Sequence, residues 1–453
     1  MLRRLGHRFA AVFKRITPDP FLLAVLLTVS VFLLAFLIEG ADPISIIRAW
    51  QGDTGFWSLL QFSMQMVLIL VTGHALASAP AIRSGLRAAA SIPRTGAQAA
   101  AMVSAVAIAT ALLNWGLGLI VGSLLAREVG KSCVERGVRA HYPLVAAAGY
   151  SGLMAWHGGF SGSAPLMMTV EENVTRFLGA DAGVDPLPFT ATVLSVENLI
   201  VSGGLLVFVP LLCASLAPRE RDEVEGPPPS VLKDSYDRRL PEPETTVERI
   251  QASPFVTALV VLPLVCACAV WLYDNGIGKL DPNAINLLFL TLGLIAHGRL
   301  PSYLRAVQDA VAGTSGIIVQ FPFYAGIMGV MRGTGLLSTF AGAITGIATP
   351  QTFAALTCVS AGLINLFVPS GGGQWAVQGP IAVQASETLG VPLQNAVMAV
   401  AYGDQLTNML QPFWALPLLG ITQVKARDIL GYSTVLMIFG FIWCMTWLTV
   451  WSL

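Results

Sequence analysis

Long apolar runs separated by short polar segments dominate this chain. Runs of about 20 apolar residues match the hydrocarbon thickness of a bilayer. The pattern therefore predicts nine membrane-spanning helices, of which 284–298 is short for a full crossing. The predicted spans lie near residues 18–39, 57–80, 142–168, 188–216, 253–273, 284–298, 308–331, 394–420 and 429–451.

Two further apolar segments, 98–126 and 351–390, are predicted to enter and leave the membrane on the same side. Basic residues flank the first segment on both sides, and basic loops favour the cytoplasm. Small residues near Asn114 and Asn365 suit the tips of helical hairpins. Non-helical backbone is tolerated at that depth only where protein or a water-filled cavity surrounds it.

Charge placement divides the chain into three parts. Residues 217–250 contain fifteen charges within 219–249 and several prolines, which predicts a cytoplasmic linker. The linker separates a first half, 1–216, with its hairpin on the cytoplasmic side, from a second half, 251–453, with its hairpin on the periplasmic side. Basic residues before the first span place the N-terminus in the cytoplasm.

The two halves repeat the same order of helix, helix, hairpin, broken helix and helix. Gly149 follows Asn114 by 35 residues, and Ala401 follows Asn365 by 36. The extra helix at 253–273 turns the second half over relative to the first. The pattern predicts an inverted repeat with two broken helices and a binding site near the membrane midplane.

Composition excludes several classes of protein. Charged residues make up 11% of the 453 residues and apolar residues 55%, whereas soluble domains carry about 25% charge. A soluble enzyme, a disordered chain and a nucleic-acid binder are therefore excluded. The six cysteines form no disulfide framework, and no catalytic or metal-binding motif is recognisable. We expect no enzyme activity, no cofactor, no metal site and no nucleic-acid partner.

The hairpin tips and the helix breaks carry the candidate substrate chemistry. No Lys or Arg lies deep in a predicted span, so an anion would be held by backbone N–H groups at helix N-termini. Gly371, Gly372 and Gly373 would let the backbone approach a ligand, with a helix restarting near Gln374. The predicted substrate-binding residues are Asn114, Gly116, Gly118, Ser161, Ser163, Asn365, Ser370, Gly371, Gly372 and Gly373.

Acidic and amide side chains in the spans are candidates for ion or proton coupling. Asp404 could bind a cation, carry a proton or serve as a structural hydrogen-bonding acid. Glu197 lies nine residues into its predicted span, about 14 Å deep at the helical rise, and could relay protons or pair with a neighbouring helix. His74 and His157 also lie in predicted spans, and each could form a hydrogen bond between packed helices or carry a proton, of which the packing role is the more common. The predicted coupling residues are Asp404, Asn408, Gln411 and Glu197.

Seven sequence stretches resemble the bacterial short-chain fatty acid transporter family, whose members take up acetoacetate and butyrate. The resemblance covers nearly the whole chain. The stretches are F-W-S-L-L-Q-F-S-M-Q-M from Phe56, V-T-G-H-A-L-A-S from Val71, N-W-G-L-G-L from Asn114, G-G-F-S-G-S from Gly158, V-Q-F-P-F-Y-A-G-I from Val319, N-L-F-V-P-S-G-G-G-Q-W from Asn365 and Q-P-F-W-A-L-P from Gln411.

The resemblance implies an elevator-type carrier of the ion-transporter superfamily, with one scaffold subdomain and one moving subdomain that holds both hairpins. It implies a homodimer in the bacterial inner membrane that carries short-chain monocarboxylates with Na⁺ or H⁺. A carrier for another small carboxylate, such as a dicarboxylate, is the alternative, and the lack of a buried cation favours a single carboxylate. His157 stands where a glycine is usual in the family, and Asp404 where a glutamate is common.

An ion channel and a membrane enzyme are the candidates from other classes of protein. A channel would show an open, lined pore instead of two opposed hairpins. An enzyme would need a convergent set of catalytic residues, which the sequence does not contain.

Overall fold

The computed structural model shows helices as the only regular elements in the residues that it describes. The predicted all-α class is therefore confirmed. Two parts of the predicted linker, 219–223 and 233–242, lie outside the described residues. The described residues are 19–169, 171, 174, 185–218, 224–232, 243–276, 282–311 and 314–452.

The first half contains helices α1 to α9 in its described part. Proline occupies the start of α1, α2 and α4, where a missing N–H costs no helical hydrogen bond. Short 3₁₀ turns occur at Ser151–Met154, Trp156–Gly158 and Phe189–Ala191. The helices are α1 (Pro20–Ile38), α2 (Pro43–Gln51), α3 (Leu60–Ser78), α4 (Pro80–Ala90), α5 (Gly96–Leu113), α6 (Trp115–Glu135), α7 (Tyr142–Tyr150), α8 (Ser163–Met167) and α9 (Val196–Leu216).

The linker and the second half contain the remaining twelve helices of the described residues. A 3₁₀ turn at Asn408–Leu410 separates α19 from α20. The helices are α10 (Pro229–Leu232), α11 (Thr246–Gln251), α12 (Pro254–Asn275), α13 (Pro282–His297), α14 (Leu300–Val311), α15 (Ser315–Gly333), α16 (Leu336–Thr345), α17 (Phe353–Asn365), α18 (Gly371–Leu389), α19 (Leu393–Thr407), α20 (Pro412–Thr422) and α21 (Ala426–Val450).

Six of the described helices are long and apolar enough to cross a membrane, namely α1, α3, α5, α9, α12 and α21. A seventh crossing results if α14 and α15, which meet at a bend of 54°, form one span. The nine predicted crossings also included α13 and the two broken helices, α7 with α8 and α19 with α20. Each of these five helices has fewer than the 18 residues required of a candidate span. The predicted span 308–331 begins within α14 and ends within α15.

The helices pack into two groups that mix both halves of the sequence. Helices α1, α2 and α3 pack with α13, α14 and α15. Helices α5, α6, α7 and α9 pack with one another, as do α17, α18 and α19, and α21 contacts α7, α9, α17 and α19. Helix α20 contacts both groups, through α3 and α15 on one side and α6 and α7 on the other.

Helices α5 and α6 form an antiparallel pair joined at Asn114. Gly118 packs on Ala111, and Gly122 packs on Ala107 one turn further from the tip, which fixes the antiparallel register. Asn114 caps α6, because its Oδ1 accepts hydrogen bonds from the Gly116 and Leu117 N–H groups at 3.0 and 3.1 Å.

Helices α17 and α18 form a second antiparallel pair. Gln374 Nε2 donates to the Ala361 carbonyl at 2.9 Å, and Gln378 Nε2 donates to Ser360 Oγ at 3.3 Å. Ser370 caps α18 by accepting from the Gly373 N–H at 3.1 Å. The cap starts α18 at Gly371, three residues before the position expected from the sequence.

Candidate functional site: a buried polar junction between two helix breaks

Two interrupted helices meet in the interior of the protein. The first interruption extends from the end of α7 to the start of α8, and the second lies between α19 and α20. Seven polar residues at this meeting point are at most 5% exposed, and we refer to them as the polar junction. They are His157, Asn365, Asp404, Gln405, Thr407, Asn408 and Gln411.

His157 and Asp404 connect the two breaks directly. The His157 Nδ1 and the Asp404 Oδ1 lie 3.0 Å apart. The Ala164 backbone N–H donates to the His157 Nε2 at 3.0 Å, so Nε2 carries no proton. The imidazole is therefore neutral, and its Nδ1–H donates to the Asp404 carboxylate. Removing either side chain would leave the other buried without this partner.

Gln405 adds a second connection between the breaks. Its Oε1 accepts hydrogen bonds from the backbone N–H groups of His157 and Gly158, at 3.0 and 3.2 Å. These N–H groups lie in a 3₁₀ turn, where the Gly158 N–H also donates to the Ala155 carbonyl at 3.3 Å. The second break thus satisfies backbone donors of the first.

Asn365, at the end of α17, ties the second helix pair to the second break. Its Nδ2 donates to the Asp404 carbonyl at 2.7 Å, to Thr407 Oγ1 at 3.0 Å and to Asn408 Oδ1 at 2.9 Å. The Gln411 Nε2 donates in return to the Asn365 carbonyl. The tip of this helix pair is therefore fixed against the interruption between α19 and α20.

Two buried tyrosines connect each half to the break of the other. Tyr150 Oη donates to the Asn408 and Gln411 carbonyls at 2.7 and 2.9 Å. Tyr402 Oη donates to Asn198 Oδ1 at 3.0 Å, and Asn198 Nδ2 donates to the Gly158 carbonyl at 2.8 Å. Each tyrosine therefore lies in one half of the sequence and bonds to the break of the other half, directly or through Asn198.

The first helix pair touches the first break. The Trp115 N–H donates to Ser161 Oγ at 3.0 Å, and the Phe160 N–H donates to the Leu112 carbonyl at 2.8 Å. Asn114 and Ser161, both predicted substrate-binding residues, are therefore brought together. Gly118, in contrast, lies between the two helices of the pair, where Ala111 covers its backbone. It cannot present free N–H groups to a ligand, contrary to the role predicted for it.

Gly116 also lies within a packed contact. An added Cβ there would meet Ile285 Cδ1 at 3.2 Å. Its N–H is already bonded to Asn114, so the residue shapes the helix start.

The tip of the second helix pair contacts the first break. A Cβ added to Gly371 would lie 2.8 Å from His157 Cε1 and 3.3 Å from Ser163 Oγ. A Cβ added to Gly372 would lie 2.8 Å from the terminal methyl of Met167. The predicted substrate-binding residues Ser163, Gly371 and Gly372 thus lie side by side.

Gly373 faces a residue that the sequence analysis overlooked. The position of an added Cβ is occupied by Nη2 of Arg332, the penultimate residue of α15. An anion at the tips was expected to be held by backbone N–H groups without a cationic side chain, whereas Arg332 places a guanidinium beside this tip. Arg332 directly follows the predicted span 308–331, and nothing in the local sequence indicates its contact with Gly373.

Glu197 lies outside the polar junction. Helix α9 starts at Val196, where Ser195 caps it, so Glu197 occupies the first turn and is exposed. The predicted depth of nine residues into a span is corrected accordingly. Glu197 lines a cavity of about 330 Å³ together with Gln394 and Tyr402.

Three buried oxygen atoms of the polar junction have no hydrogen-bond donor within the described part of the chain. They are Asp404 Oδ2, Asn365 Oδ1 and Gln411 Oε1. Buried acceptors without partners are costly, and carboxylate and carbonyl oxygens are the ligands preferred by hard cations. A bound cation or a proton at the polar junction would therefore provide a partner for these oxygen atoms.

The all-helical fold, the candidate spans and the buried polar junction define a multi-pass membrane protein built as a transporter. The chain belongs to the short chain fatty acid transporter family, whose model matches residues 1–450. This is a family of transporters and not of enzymes.

Two bacterial relatives match nearly the full chain. A protein of Escherichia coli (strain K12), named as a candidate short-chain fatty acid transporter, is 38% identical over 441 residues, which cover 97% of this chain and 98% of the relative. A protein of Haemophilus influenzae with the same name is 36% identical over 442 residues, which cover 97% of each chain.

Two solved structures are similar at low sequence identity. The Alcanivorax borkumensis YdaH transporter is 16% identical with a TM-score of 0.40, over 95% of this chain and 98% of that chain. Neisseria gonorrhoeae MtrF, which is described as illuminating a class of antimetabolite efflux pumps, is 15% identical with a TM-score of 0.40, over 97% of each chain.

Proposed function

We propose that this protein is a secondary active carrier that moves acetoacetate, butyrate and similar monocarboxylates across the bacterial inner membrane, coupled to Na⁺ or H⁺. The observation that carries the proposal is the polar junction, where the two helix breaks meet each other and the tip of the second helix pair. The tip of the first helix pair contacts the first break beside it. Family membership and the names of two relatives support the substrate class. Interrupted helices buried among other helices are typical substrate and ion sites in such carriers.

We propose that the coupling ion acts at Asp404. Its Oδ1 is satisfied by His157, whereas Oδ2 has no donor among the described residues. A bound Na⁺ would take Oδ2 and the amide oxygens of Asn365 and Gln411 as ligands. A proton would instead neutralise the carboxylate itself. Asn408 belongs to the same site because its side chain accepts from Asn365.

The inverted repeat, the re-entrant placement of both helix pairs and the cytoplasmic N-terminus are parts of the same proposal. The reciprocal tyrosine connections support the repeat, since Tyr150 and Tyr402 perform matching roles in the two halves. The two packing groups fit a scaffold of α1–α3 with α13–α15 and a moving part that holds both helix pairs. We propose a homodimer on the family resemblance, which native mass spectrometry in lipid nanodiscs would test.

A dicarboxylate carrier is the second candidate, and the position of Arg332 favours it. A basic side chain at Gly373 could hold one carboxylate while backbone N–H groups hold another. The earlier preference for a monocarboxylate relied on the absence of such a cation. Uptake of succinate in competition with butyrate separates the two candidates.

Uptake by purified protein in liposomes tests the function. Labelled butyrate should accumulate above its external concentration when a Na⁺ gradient or a proton gradient is imposed, and only equilibrate when neither is present. Protein-free liposomes and liposomes with Asp404→Asn are the controls. Equal butyrate uptake by protein-free and wild-type liposomes under both gradients would contradict the proposal.

A further inference from the structure

Arg332 reaches from one packing group of helices to the other. It lies in the last turn of α15, which packs on α1, α2 and α3. Close contacts fix that end of α15, since Gly329 lies against the Ala49 carbonyl and Gly333 against the Ala49 side chain. The guanidinium nevertheless touches Gly373 in the first turn of α18. A single side chain thus spans the boundary between the two groups.

The space at Gly373 shows how closely the guanidinium approaches the helix start. The Arg332 Nη2 occupies the place of a Cβ, and Ser370 Oγ lies 2.8 Å from the same point. Any side chain at residue 373 would displace the guanidinium. Glycine therefore permits the guanidinium to lie beside the N–H groups of the first turn of α18, which have no partner within the helix.

The charge of Arg332 is not neutralised by any residue that the structure describes. Its Nε is buried and has no hydrogen-bond partner there. Glu39, which lies near Gly335, forms no ion pair with Arg332 in that part of the chain, and its Oε1 is itself buried without a donor. A partly buried guanidinium without a counter-charge is destabilising, whereas an anion bound bidentately would satisfy it.

We infer that Arg332 binds the carboxylate of the transported substrate against the tip of α18, so that one anion contacts both packing groups at once. The inference deepens the proposed function and rests on it. A carboxylate fits because its two oxygens match the planar fork of a guanidinium. Ser370 and the glycines of the tip form the other wall of this site.

Substrate binding at this site would also affect the relative movement of the two packing groups of helices. With Arg332 on α15 and the glycine tip on α18, relative motion of the groups would separate the two walls and release the anion. The carboxylate contact is therefore made in one arrangement of the helices and lost in another. Differential binding of this kind is what allows a ligand to shift a conformational equilibrium.

Butyrate binding to purified protein in nanodiscs, measured by titration calorimetry, tests the inference. Arg332→Gln should weaken butyrate binding roughly tenfold to a hundredfold, the usual effect of losing a charge-assisted hydrogen bond. Arg332→Lys should lose less, since it keeps the charge but not the fork. The matched control is Arg48→Gln, which removes an exposed arginine of the last turn of α2.

Three results distinguish the possibilities. Weak binding by Arg332→Gln, together with a normal melting temperature and an unchanged Na⁺ or H⁺ dependence of residual uptake, supports the inference. Equal butyrate affinity in wild type and Arg332→Gln overturns it and leaves the proposed function intact. Absence of butyrate binding by the wild type overturns both. Butyramide, which lacks the charge, should bind wild type and Arg332→Gln equally.

Discussion

His157 Nδ1 and Asp404 Oδ1 lie 3.0 Å apart and join two helix breaks that are separated by 247 residues in sequence. The Ala164 N–H donates to the His157 Nε2, which leaves the Nδ1–H to donate to the Asp404 carboxyl group. Resemblance to the family had marked His157 and Asp404 as its two departures from the usual pattern. The structure brings these two residues into direct contact.

Asp404 is predicted to control ion coupling. Asp404→Asn keeps the size of the side chain and its hydrogen bonding but removes the negative charge. Uptake of labelled butyrate by proteoliposomes should lose its dependence on the ion gradient, while exchange of internal for external butyrate is partly retained. Unchanged gradient dependence in Asp404→Asn would move the coupling role elsewhere.

His157 and Asp404 are predicted to be energetically coupled. A hydrogen bond to a charged group contributes about 1.5–3 kcal/mol, so His157→Ala should lower the melting temperature of the purified protein. In Asp404→Asn, the same histidine substitution should cost less, because the charged acceptor is already lost. A double-mutant cycle by thermal unfolding in detergent measures the difference. Additive effects of the two substitutions would show that the contact contributes little.

Tyr150 and Tyr402 are predicted to support the two breaks to a similar extent. Tyr150→Phe removes the Tyr150 hydroxyl from the Asn408 and Gln411 carbonyls, and Tyr402→Phe leaves Ser202 Oγ as the remaining donor to Asn198 Oδ1. Each substitution should destabilise the protein by about 1 kcal/mol and reduce the transport rate. Tyr324→Phe, on α15, is the control, because the buried Tyr324 Oη has no hydrogen-bond partner among the described residues. A large effect of only one substitution would argue against matching roles in the two halves.

The sequence predicted the helix pairs and the helix breaks because both leave local signals. Small residues beside Asn114 and Asn365 mark the two tips, and glycine, serine and proline mark the interruption near Ser161. The start of α9 was placed too early, since an apolar stretch does not show where a serine cap begins the helix. Glu197 moved from a deep position to an exposed one for this reason.

Contacts between distant segments could not be read from the chain. His157 and Asp404 are separated by 247 residues, and no local feature pairs them. Arg332 follows the last residue of a predicted span, a position where a long basic side chain ordinarily extends toward water. Only the packing of α15 on the tip of α18 shows that its guanidinium points toward Gly373.

Orientation in the membrane is a further prediction. The linker 217–250 should face the cytoplasm, so a protease added to cells with a permeabilised outer membrane should leave it intact. Cleavage from the periplasmic side would overturn the proposed topology. Deletion experiments should spare residues 224–232, because Glu225 accepts a hydrogen bond from the Tyr142 N–H at 2.8 Å and Val231 is fully buried.

We predict that a side chain at residue 372 prevents butyrate uptake. Met167, which lies beside Gly372, allows two possible causes to be separated. An added Cβ would press on the terminal methyl of Met167, 2.8 Å away, which is the flexible end of a side chain. Gly372→Val should abolish high-affinity butyrate uptake with normal expression and membrane insertion, because the β-carbon obstructs the approach of a carboxylate to the tip.

Gly372→Val combined with Met167→Ala separates obstruction of the ligand from simple crowding. If the valine acts by blocking the carboxylate, removing the methionine methyl leaves uptake abolished. Full recovery in the double variant would mean that crowding against Met167 is the whole effect, and that the carboxylate does not approach Gly372. Gly118→Val is unsuitable as the matched control, because its Cβ would meet the Ala111 backbone and separate α5 from α6. Gly85→Val, on α4 with open space around its Cβ position, supplies that control: its uptake should equal that of the wild type.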